Sequence, residues 1–327
     1  MKKRHIAVVM GGYSTEFEIS LQSGSVVCDS LDSSKYYIYP VHILTDGWNF
    51  ISEKGVKYPI NKADFSFSNG TETIIPDVVF NTIHGTPGED GYLQAYLKLI
   101  GIPQTSCEYY EAALSFNKRD CLSVLKGFGI KCANSYYVNK GVSFSEEEII
   151  KKVGLPCFVK PNRAGSSFGI SKVHAIEELL PAIELAFEED TEIIIETAIQ
   201  GVEVSVGVYN DKEEIVVLSP TEIVSENDYF DYEAKYLGKS EEITPARISE
   251  EETKKVKSIS KKIYQLLNMS GIARSDFIIQ EGVPYFIEIN SNPGLSIESI
   301  IPKQVREVGM SLTDFFDILI QNVLTKN

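Results

Sequence analysis

The feature that most constrains the fold is a pair of strand-like runs at residues 277–280 and 285–289, separated by Glu281-Gly282-Val283. Such runs on either side of a short glycine-containing segment predict a β-hairpin. With those three residues as the loop, Asp276 lies opposite Glu288. A two-residue loop would instead turn Glu288 towards the apolar face, where an unpaired charge costs several kcal/mol. The sequence therefore predicts the three-residue loop.

The two faces of this hairpin differ in chemistry, because side chains alternate between the faces of a strand. One face is predicted to form an apolar surface of Phe277, Ile279, Tyr285, Ile287 and Ile289. The other face gathers Arg274, Asp276, Glu288 and Asn290. Carboxylate and amide oxygens are ligands that Mg²⁺ takes beside nucleotide phosphates. We interpret this face as a candidate metal site; the alternative is a solvated polar sheet face.

The first hundred residues show a β-α-β pattern. An apolar run at 6–10 predicts a buried strand, and a helix is predicted to follow as far as Leu31. Further strands are predicted near 37–43 and 78–83. The last of these ends at the loop 84–91, and loops at the carboxyl ends of strands are where open α/β sheets bind ligands.

The predicted first helix has two further expectations. Thr15 and Glu18 have the T-x-x-E spacing of a capping box at its start. Its inward face is predicted to be apolar, formed by Ile19, Val26 and Val27.

The length of 327 residues exceeds the usual span of one hydrophobic core, so several lobes are expected. The pattern predicts an α/β fold with α+β elements in three lobes, residues 1–103, 104–199 and 200–327. The glycine-rich segment 162–169 joins two predicted strands rather than a strand and a helix, which disfavours a Walker loop. Residues 227–240, rich in aromatic and charged side chains, are predicted to form a mobile lid.

Composition limits the classes of binding partner and indicates the cellular compartment. A formal net charge of −15 argues against nucleic acid or an anionic membrane as a partner. The apolar run after Met1-Lys2-Lys3-Arg4 is too short for a signal peptide. The cysteines are odd in number, scattered and without a CxxC pair, which predicts no disulfide framework or zinc site and favours a reducing cytoplasm; they are Cys28, Cys107, Cys121, Cys132 and Cys157.

Several short segments, taken in order along the chain, resemble the ATP-grasp superfamily and specifically its D-alanine:D-alanine ligases. They are 10–16, 84–91, 160–169, 229–236, 273–277 and 288–294. The chain departs from the family pattern at Ser275, where a β-branched residue is common, and at Ser291, where many relatives have threonine. Neither departure changes a candidate ligating residue.

The resemblance implies an open parallel-sheet lobe at the N-terminus and ATP bound between the central and C-terminal lobes. It implies that ATP is contacted by Lys118, Lys160, Glu196, Glu203 and Lys235, the last of these lying on the lid. It also implies two Mg²⁺ or Mn²⁺ ions held by Asp276, Glu288 and Asn290.

For the amino-acid substrates, the resemblance implies that Glu16 lies near the first ammonium group, with His84 close by. Ser166 and Tyr236 would link Glu16 to the lid by hydrogen bonds. Arg274 and the backbone N–H of Gly294 would form an oxyanion site. The carboxylate of the second substrate would bind Ser299.

The implied activity is ATP-dependent ligation of two D-alanines through an acyl phosphate, for peptidoglycan precursor synthesis by a cytoplasmic homodimer. Related ligases that make D-Ala-D-lactate or D-Ala-D-Ser are the nearest alternative. From other classes, a nucleotide-dependent oxidoreductase is disfavoured because Gly11-Gly12-Tyr13-Ser14 lacks the G-x-G-x-x-G spacing. A non-catalytic amino-acid-binding protein would need neither the acidic cluster nor the lysines.

Overall fold

The computed structural model describes residues 3–165, 168–225 and 240–325. Its strands are β1 (Arg4–Gly11), β2 (Tyr36–Leu44), β3 (Gly47–Ile51), β4 (Lys57–Pro59), β5 (Phe67–Ser68), β6 (Thr73–Ile74), β7 (Val78–Asn81), β8 (Ser135–Asn139), β9 (Cys157–Pro161), β10 (Ser171–Val173), β11 (Glu192–Thr197), β12 (Val202–Asp211), β13 (Glu214–Val217), β14 (Thr221–Ser225), β15 (Ser240–Ile243), β16 (Ile272–Gln280) and β17 (Val283–Asn290). Its helices are α1 (Phe17–Ser30), α2 (Tyr92–Leu99), α3 (Tyr109–Phe116), α4 (Lys118–Gly127), α5 (Glu146–Val153), α6 (Leu179–Glu189), α7 (Glu250–Leu266), α8 (Ile300–Glu307) and α9 (Leu312–Leu324), with a 3-10 turn at Ile176–Glu178.

The first sheet has the strand order β4-β3-β2-β1-β7. β1 pairs in parallel with β2 and β7, as the β-α-β pattern predicted, and the hairpin of β3 and β4 extends the edge in the antiparallel sense. Both faces of the parallel part are buried, which explains the nearly continuous apolar run of β1. The carboxyl ends of β1 and β7 lead into the loops that begin at Gly12 and Thr82.

One face of this first sheet is covered by the last helix of the chain. Side chains of α9 join those of β1, β7 and α1 in one core cluster. The rings of Phe80 and Phe316 meet edge to face, with centroids 5.5 Å apart. At the rim of this contact, the Tyr36 hydroxyl donates to the carboxylate of Asp317 and accepts from Gln321 Nε2.

Helix α1 departs from both sequence expectations. The N-cap is Glu16 and no side chain caps the helix, so the Thr15–Glu18 capping box was wrong. The turn is instead made at Ser14, whose hydroxyl accepts from the Glu16 N–H and donates to the His84 carbonyl.

The inward face of α1 is also more polar than predicted. Val27 is buried as expected, but Ile19 and Val26 are only partly buried. The buried positions around Val27 are Ser20, Ser23 and Gly24. Small residues are needed there because a Cβ on Gly24 would lie 2.6 Å from the Met10 side chain.

The second sheet is antiparallel, with the order β10-β9-β11-β8, and α5 and α6 pack against it. The glycine-rich segment joins β9 to β10, so the prediction that it links two strands is confirmed.

The third sheet has the order β15-β14-β12-β16-β17, with β13 pairing β12. Its core is shared by α7 and by α3 and α4, whose buried residues pack with β12, β16 and β17. These two helices begin the segment that the sequence analysis assigned to the central lobe, and the lobe boundaries at 103/104 and 199/200 stay predictions.

The hairpin of β16 and β17 has a two-residue turn, so the predicted three-residue loop was wrong. Gln280 pairs with Val283, and Glu281 and Gly282 both have positive φ, the signature of a tight hairpin turn. The extra residue lies in β17, where a bulge next to the Phe277–Phe286 pair shifts the register. Asp276 therefore still pairs with Glu288, as the sequence predicted.

The bulge changes which side chains reach the core. Phe277, Ile279 and Ile289 are buried in the core as predicted, but Phe286 joins them in place of Tyr285 and Ile287, which are only partly buried. Ile287 lines the same cavity as Glu288, on the polar side of the hairpin.

Two general properties of the chain follow from the described residues. All five cysteines are free thiols. No helix in the described ranges combines the length and the apolar character that a membrane span requires.

Candidate active site

Two cavities adjoin where the three sheets approach one another. The larger, of about 300 Å³, lies between the first-sheet loops and the segment after β17. The smaller, of about 120 Å³, lies between the second and third sheets. Their linings share Lys118, Ile170, Arg274 and Glu288. A ligand in the smaller cavity would therefore meet a ligand in the larger one at two cations and a carboxylate.

The polar face of the β16–β17 hairpin forms part of that shared wall. Asp276 pairs with Glu288 and Arg274 pairs with Asn290, so the predicted gathering of these residues is confirmed. The Asp276 carboxylate accepts two hydrogen bonds from the Arg274 guanidinium, at 2.9 and 2.8 Å, and one from the Ser205 hydroxyl at 2.7 Å. Asn290 Nδ2 donates to the same carboxylate at 3.1 Å.

The electrostatics of Arg274 keep it charged. Burial by itself disfavours the guanidinium, but the charges of Asp276 and Glu288 and the hydrogen bonds to Asp276 outweigh burial and raise the pKa of Arg274 above its ordinary value. A permanent cation on the wall between the cavities can stabilise negative charge that develops on a ligand there.

Lys118 lies at the first position of α4, after the N-cap Asn117, whose side chain accepts from the Asp120 N–H. The cap fixes the direction in which Lys118 enters the site. Its ammonium donates to the Ala164 carbonyl at 2.9 Å and lies 3.3 Å from a Glu288 oxygen. Lys118 therefore bridges the glycine-rich segment and the β17 carboxylate.

Lys160 lies on β9 and lines the smaller cavity with Glu196 and Glu203. Its ammonium is 3.1 Å from a Glu196 oxygen. Burial disfavours the charge of Lys160, but Glu196 and the more distant acids raise its pKa above the ordinary value. The lining also contains apolar side chains that a flat ring could pack against; they are Ala133, Phe158, Ile170, Ile199, Ile278 and Ile287.

The larger cavity brings Glu16 and His84 together with the segment after β17. The Glu16 carboxylate packs so closely against Gly165 that a Cβ on that glycine would lie 2.3 Å from a Glu16 oxygen. At the opposite side, a Cβ on Gly294 would lie 2.8 Å from the Ser299 hydroxyl. Ser299 is the N-cap of α8, where backbone N–H groups favour an anion such as a carboxylate.

Glu89 is a buried acid in this cavity to which the sequence analysis gave no role. Burial, with the charge of Glu16 added, raises the pKa of Glu89 to about 8, although the Gly85 N–H donates to its carboxylate at 2.7 Å. Its place in the loop 84–91 marked it as near the site, but no pattern in the sequence distinguishes a buried loop acid from an exposed one.

Two ranges of the amino-acid sequence match models of known protein families. The family model described as "D-ala D-ala ligase N-terminus" matches residues 5–107, and "D-ala D-ala ligase C-terminus" matches residues 124–321. The chain belongs to the D-alanine–D-alanine ligase family. Its fold is the ATP-grasp fold of these ligases, and the oxidoreductase alternative is thereby excluded.

Individual ligases are similar over nearly the whole chain. The D-alanine–D-alanine ligase of Flavobacterium johnsoniae is 58% identical over 313 residues, 96% of this chain and 97% of the relative. The solved VanG D-Ala:D-Ser ligase from Enterococcus faecalis is 35% identical with a TM-score of 0.87, covering 98% of this chain and all of that one. A Bacillus anthracis D-alanine–D-alanine ligase complexed with ATP is 26% identical with a TM-score of 0.79, covering 98% of both chains.

Three candidate site residues lie outside the described residues, together with most of the predicted lid; they are Ser166, Lys235 and Tyr236. The described residues bring together the other candidates, which fall into the two cavities; these are Glu16, His84, Arg274, Glu288, Asn290, Gly294 and Ser299 around the larger, and Lys118, Lys160, Glu196, Glu203 and Asp276 around the smaller.

Proposed function

We propose that this ligase joins two D-alanines to form D-alanyl-D-alanine and converts one ATP to ADP and phosphate in each turnover. The observation that carries this proposal is the shared wall of Lys118, Arg274 and Glu288 between the two cavities. A nucleotide and an amino acid bound in adjoining cavities that share these residues are held next to each other, so a phosphoryl group can pass between them without entering solvent.

The smaller cavity is the proposed ATP site. Its apolar lining suits the adenine ring, and Glu196 and Glu203 can accept hydrogen bonds from the base and the ribose. Lys118, Lys160 and the lid residue Lys235 would neutralise phosphate charge. The two described lysines support this role because both lie within 3.3 Å of an acid of the site, so the protein itself holds their ammonium groups in place.

The donor set suits a pair of divalent cations. Asp276, Glu288 and Asn290 offer hard oxygen ligands from paired strands, and Asn290 bonds Asp276 through its amide nitrogen rather than the oxygen that would ligate an ion. The described residues contain no group of three or more His, Cys, Asp or Glu side chains suited to a metal, so phosphate oxygens would complete the coordination. Bound Mg²⁺ or Mn²⁺ would offset negative charge on the transferring phosphoryl group.

The larger cavity is the proposed amino-acid site. Glu16, beside His84, would pair with the ammonium of the first D-alanine, and Ser166 and Tyr236 would connect Glu16 to the lid. Ser299 would hold the carboxylate of the second D-alanine at the start of α8. Arg274 and the Gly294 N–H would receive the oxyanion.

In the proposed reaction, a carboxylate oxygen of the first D-alanine attacks the γ-phosphorus of ATP, and the bond to ADP breaks. The amine of the second D-alanine then attacks the acyl phosphate carbon and loses a proton. Arg274 and the Gly294 N–H stabilise the tetrahedral oxyanion, and the carbon–oxygen bond to phosphate breaks as the amide forms. Exclusion of water from the cavity protects the acyl phosphate from hydrolysis.

A second candidate is the ligation of D-alanine to D-serine, which the 35% identity to the VanG D-Ala:D-Ser ligase favours. A D-lactate acceptor is the third member of this group. The experiment that separates them measures phosphate release from ATP and Mg²⁺ with D-alanine alone, with L-alanine, and with D-alanine plus D-serine or D-lactate, and identifies each product by mass. Release with D-alanine alone and a dipeptide product supports the proposal; release only with a second acceptor would replace it.

Glu288→Gln tests the metal assignment. The amide cannot supply the negative charge that a divalent ion requires, so Mg²⁺-dependent phosphate release should be abolished. Glu298→Gln, on the rim of the larger cavity, is the control for loss of one negative charge. Normal activity of Glu288→Gln at ordinary Mg²⁺ concentrations would remove the assignment.

The proposed cellular role is supply of the dipeptide for peptidoglycan, in the cytoplasm and as a homodimer. The compartment is supported by five unpaired thiols, which a reducing environment preserves. The homodimer is carried over from the family resemblance and is tested by sedimentation of the purified chain.

A further inference from the structure

The segment 291–295, which contains Gly294, is held by hydrogen bonds to residues of the first sheet's loops and of α1, at two fastening points. Its carbonyl at Asn292 accepts from His84 Nδ1 at 3.0 Å, and the Asn292 side chain donates to the Ile83 carbonyl at 2.8 Å. Further along, the Leu295 N–H donates to the Ser23 hydroxyl at 3.1 Å. The two fastening points lie on either side of Gly294.

Ser23 also connects the two fastening points to each other, because its hydroxyl lies 3.4 Å from His84 Nε2. The donor and acceptor of each hydrogen bond can be assigned by starting from the Asn292 carbonyl. A backbone carbonyl only accepts, so His84 Nδ1 carries the proton that faces Asn292. In a neutral imidazole the other nitrogen accepts, so the Ser23 O–H donates to His84 Nε2 while its oxygen accepts from Leu295.

The neutral state of His84 agrees with its surroundings. Burial lowers the pKa of His84, and the positive charge of Arg274 acts in the same direction, whereas Glu16 opposes both. The bonds therefore run in one direction, from the Leu295 N–H through Ser23 and His84 to the Asn292 carbonyl. Ser23 and His84 are both buried, so water does not compete for these groups.

Gly294 cannot fix its own position by a side chain, since a Cβ there would collide with Ser299. Its N–H belongs to the Pro293–Gly294 peptide, which lies between the Asn292–Pro293 peptide bonded by His84 and the Gly294–Leu295 peptide bonded by Ser23. An oxyanion donor acts only if it points to the place where charge develops, and a shift of about 1 Å costs up to about a hundredfold in rate.

We infer that Ser23 is a positioning residue of the ligase, which holds the Gly294 N–H in the oxyanion site by bridging Leu295 and His84. The inference rests on the proposed function and extends it to a residue of α1 that would not touch either substrate. It predicts that loss of the Ser23 hydroxyl loosens the segment 291–295 and slows the chemical step, with ATP binding unchanged.

The test compares Ser23→Ala with Ser20→Ala, a matched control on the same helix. Ser20 is equally buried and its hydroxyl also accepts one hydrogen bond and donates one, accepting from the Gly11 N–H at 2.8 Å and donating to the Thr82 carbonyl at 2.9 Å, but it makes no hydrogen bond to the segment 291–295. Unfolding temperatures of both variants establish that each is folded at the assay temperature.

Two readouts are made on each variant. Hydrogen–deuterium exchange of the peptide that covers 291–295, without substrate, should accelerate about tenfold or more in Ser23→Ala and stay near wild type in Ser20→Ala, because only the first removes the acceptor of the Leu295 N–H. In turnover with D-alanine, kcat of Ser23→Ala should fall at least about tenfold with KM for ATP within about twofold, and kcat of Ser20→Ala should stay within about threefold.

The outcomes separate the inference from the function on which it rests. Unchanged exchange in Ser23→Ala would overturn the inference whatever the reaction. Faster exchange with a kcat no lower than that of Ser20→Ala would overturn the positioning role and leave the proposed function standing. Failure of the wild-type enzyme to release phosphate with D-alanine would overturn the proposed function, and the inference with it.

Discussion

Arg274 is one of the side chains that line both cavities, and it holds the Asp276 carboxylate through two hydrogen bonds. Arg274→Ala should lower kcat by about two to three orders of magnitude, the usual cost of removing an oxyanion donor. The measurement is steady-state phosphate release with D-alanine.

The matched control for this substitution is Arg247→Ala. Arg247 makes a similar two-bond pair with Glu222, at 2.9 Å for both nitrogens, and neither residue lines either of the two cavities of the site. Near-normal turnover of Arg274→Ala, or an equal loss in Arg247→Ala, would contradict the oxyanion role.

Among individual residues, the sequence predicted most of the charged side chains that line the two cavities but not the residues that position them. Acids, lysines and glycines stand out because their chemistry or their motif is unusual. Ser23 and Ser205 do not stand out, since a serine in a helix or a strand is ordinary and only the fold brings its hydroxyl to Leu295 or to Asp276. Burial of Glu89 was equally unpredictable, because burial of a loop acid depends on the parts of the fold that pack around it.

The hairpin of β16 and β17 illustrates what alternation along a strand can and cannot predict. To place Asp276 opposite Glu288, with both on the polar face, one extra residue must lie between them. The sequence analysis placed it in the loop, whereas the structure places it in β17 as a bulge. The need for an extra residue could be inferred from the positions of the two carboxylates. Where that residue lies depends on turn geometry, and a Glu281-Gly282 turn with two positive φ angles gives no strong sequence signal.

The bulge predicts different roles for two isoleucines of one strand. Ile287 lines the smaller cavity, whereas Ile289 is 5% exposed, packs in the core and borders the larger cavity instead. Ile287→Ala should raise KM for ATP several-fold with a small change in unfolding free energy, because it removes an apolar contact of the ring. Ile289→Ala should lower the unfolding free energy by about 2–5 kcal/mol with KM for ATP little changed.

Urea denaturation and ATP titrations on both variants measure these effects. The regular alternation predicted from sequence would give the two isoleucines the same behaviour, so equal effects on stability and equal KM values would refute the bulge assignment.

For the whole molecule, the buried Glu89 predicts a component of stability that depends on pH. Its pKa of about 8 in the folded protein exceeds the ordinary value of 4.5, so the folded state binds the proton more tightly. The stabilising contribution is complete below about pH 4.5 and is lost as the pH rises through about 8, because the unfolded chain releases the proton first.

Glu89→Gln should remove this component, since the amide stays neutral and its oxygen can still accept from Gly85. The difference in unfolding free energy, variant minus wild type, should rise between pH 4.5 and 8.5 by at least about 1.4 kcal/mol, the equivalent of one pKa unit. Glu213→Gln, at an exposed turn, is the control and should give a flat difference. A flat difference for Glu89→Gln would mean that its carboxylate ionises normally.

The strands predicted at 6–10, 37–43 and 78–83, the first helix and the hairpin of β16 and β17 are all present, because each carries its own periodicity. The sharing of cores was not predictable, since α3 and α4 pack on the third sheet and α9 packs on the first. Such contacts join residues that are far apart in the sequence, and local patterns contain no information about them.

The packing of α9 has a consequence for the order in which the protein assembles on the ribosome. The strands of the first sheet emerge from the ribosome more than two hundred residues before Phe315 and Phe316, the aromatic side chains of α9 that pack on one of its faces. Until α9 emerges, the nascent chain therefore lacks part of the apolar cover over Ile6, Val8 and Phe80. The apolar surface left exposed is a natural binding site for a chaperone until α9 has packed.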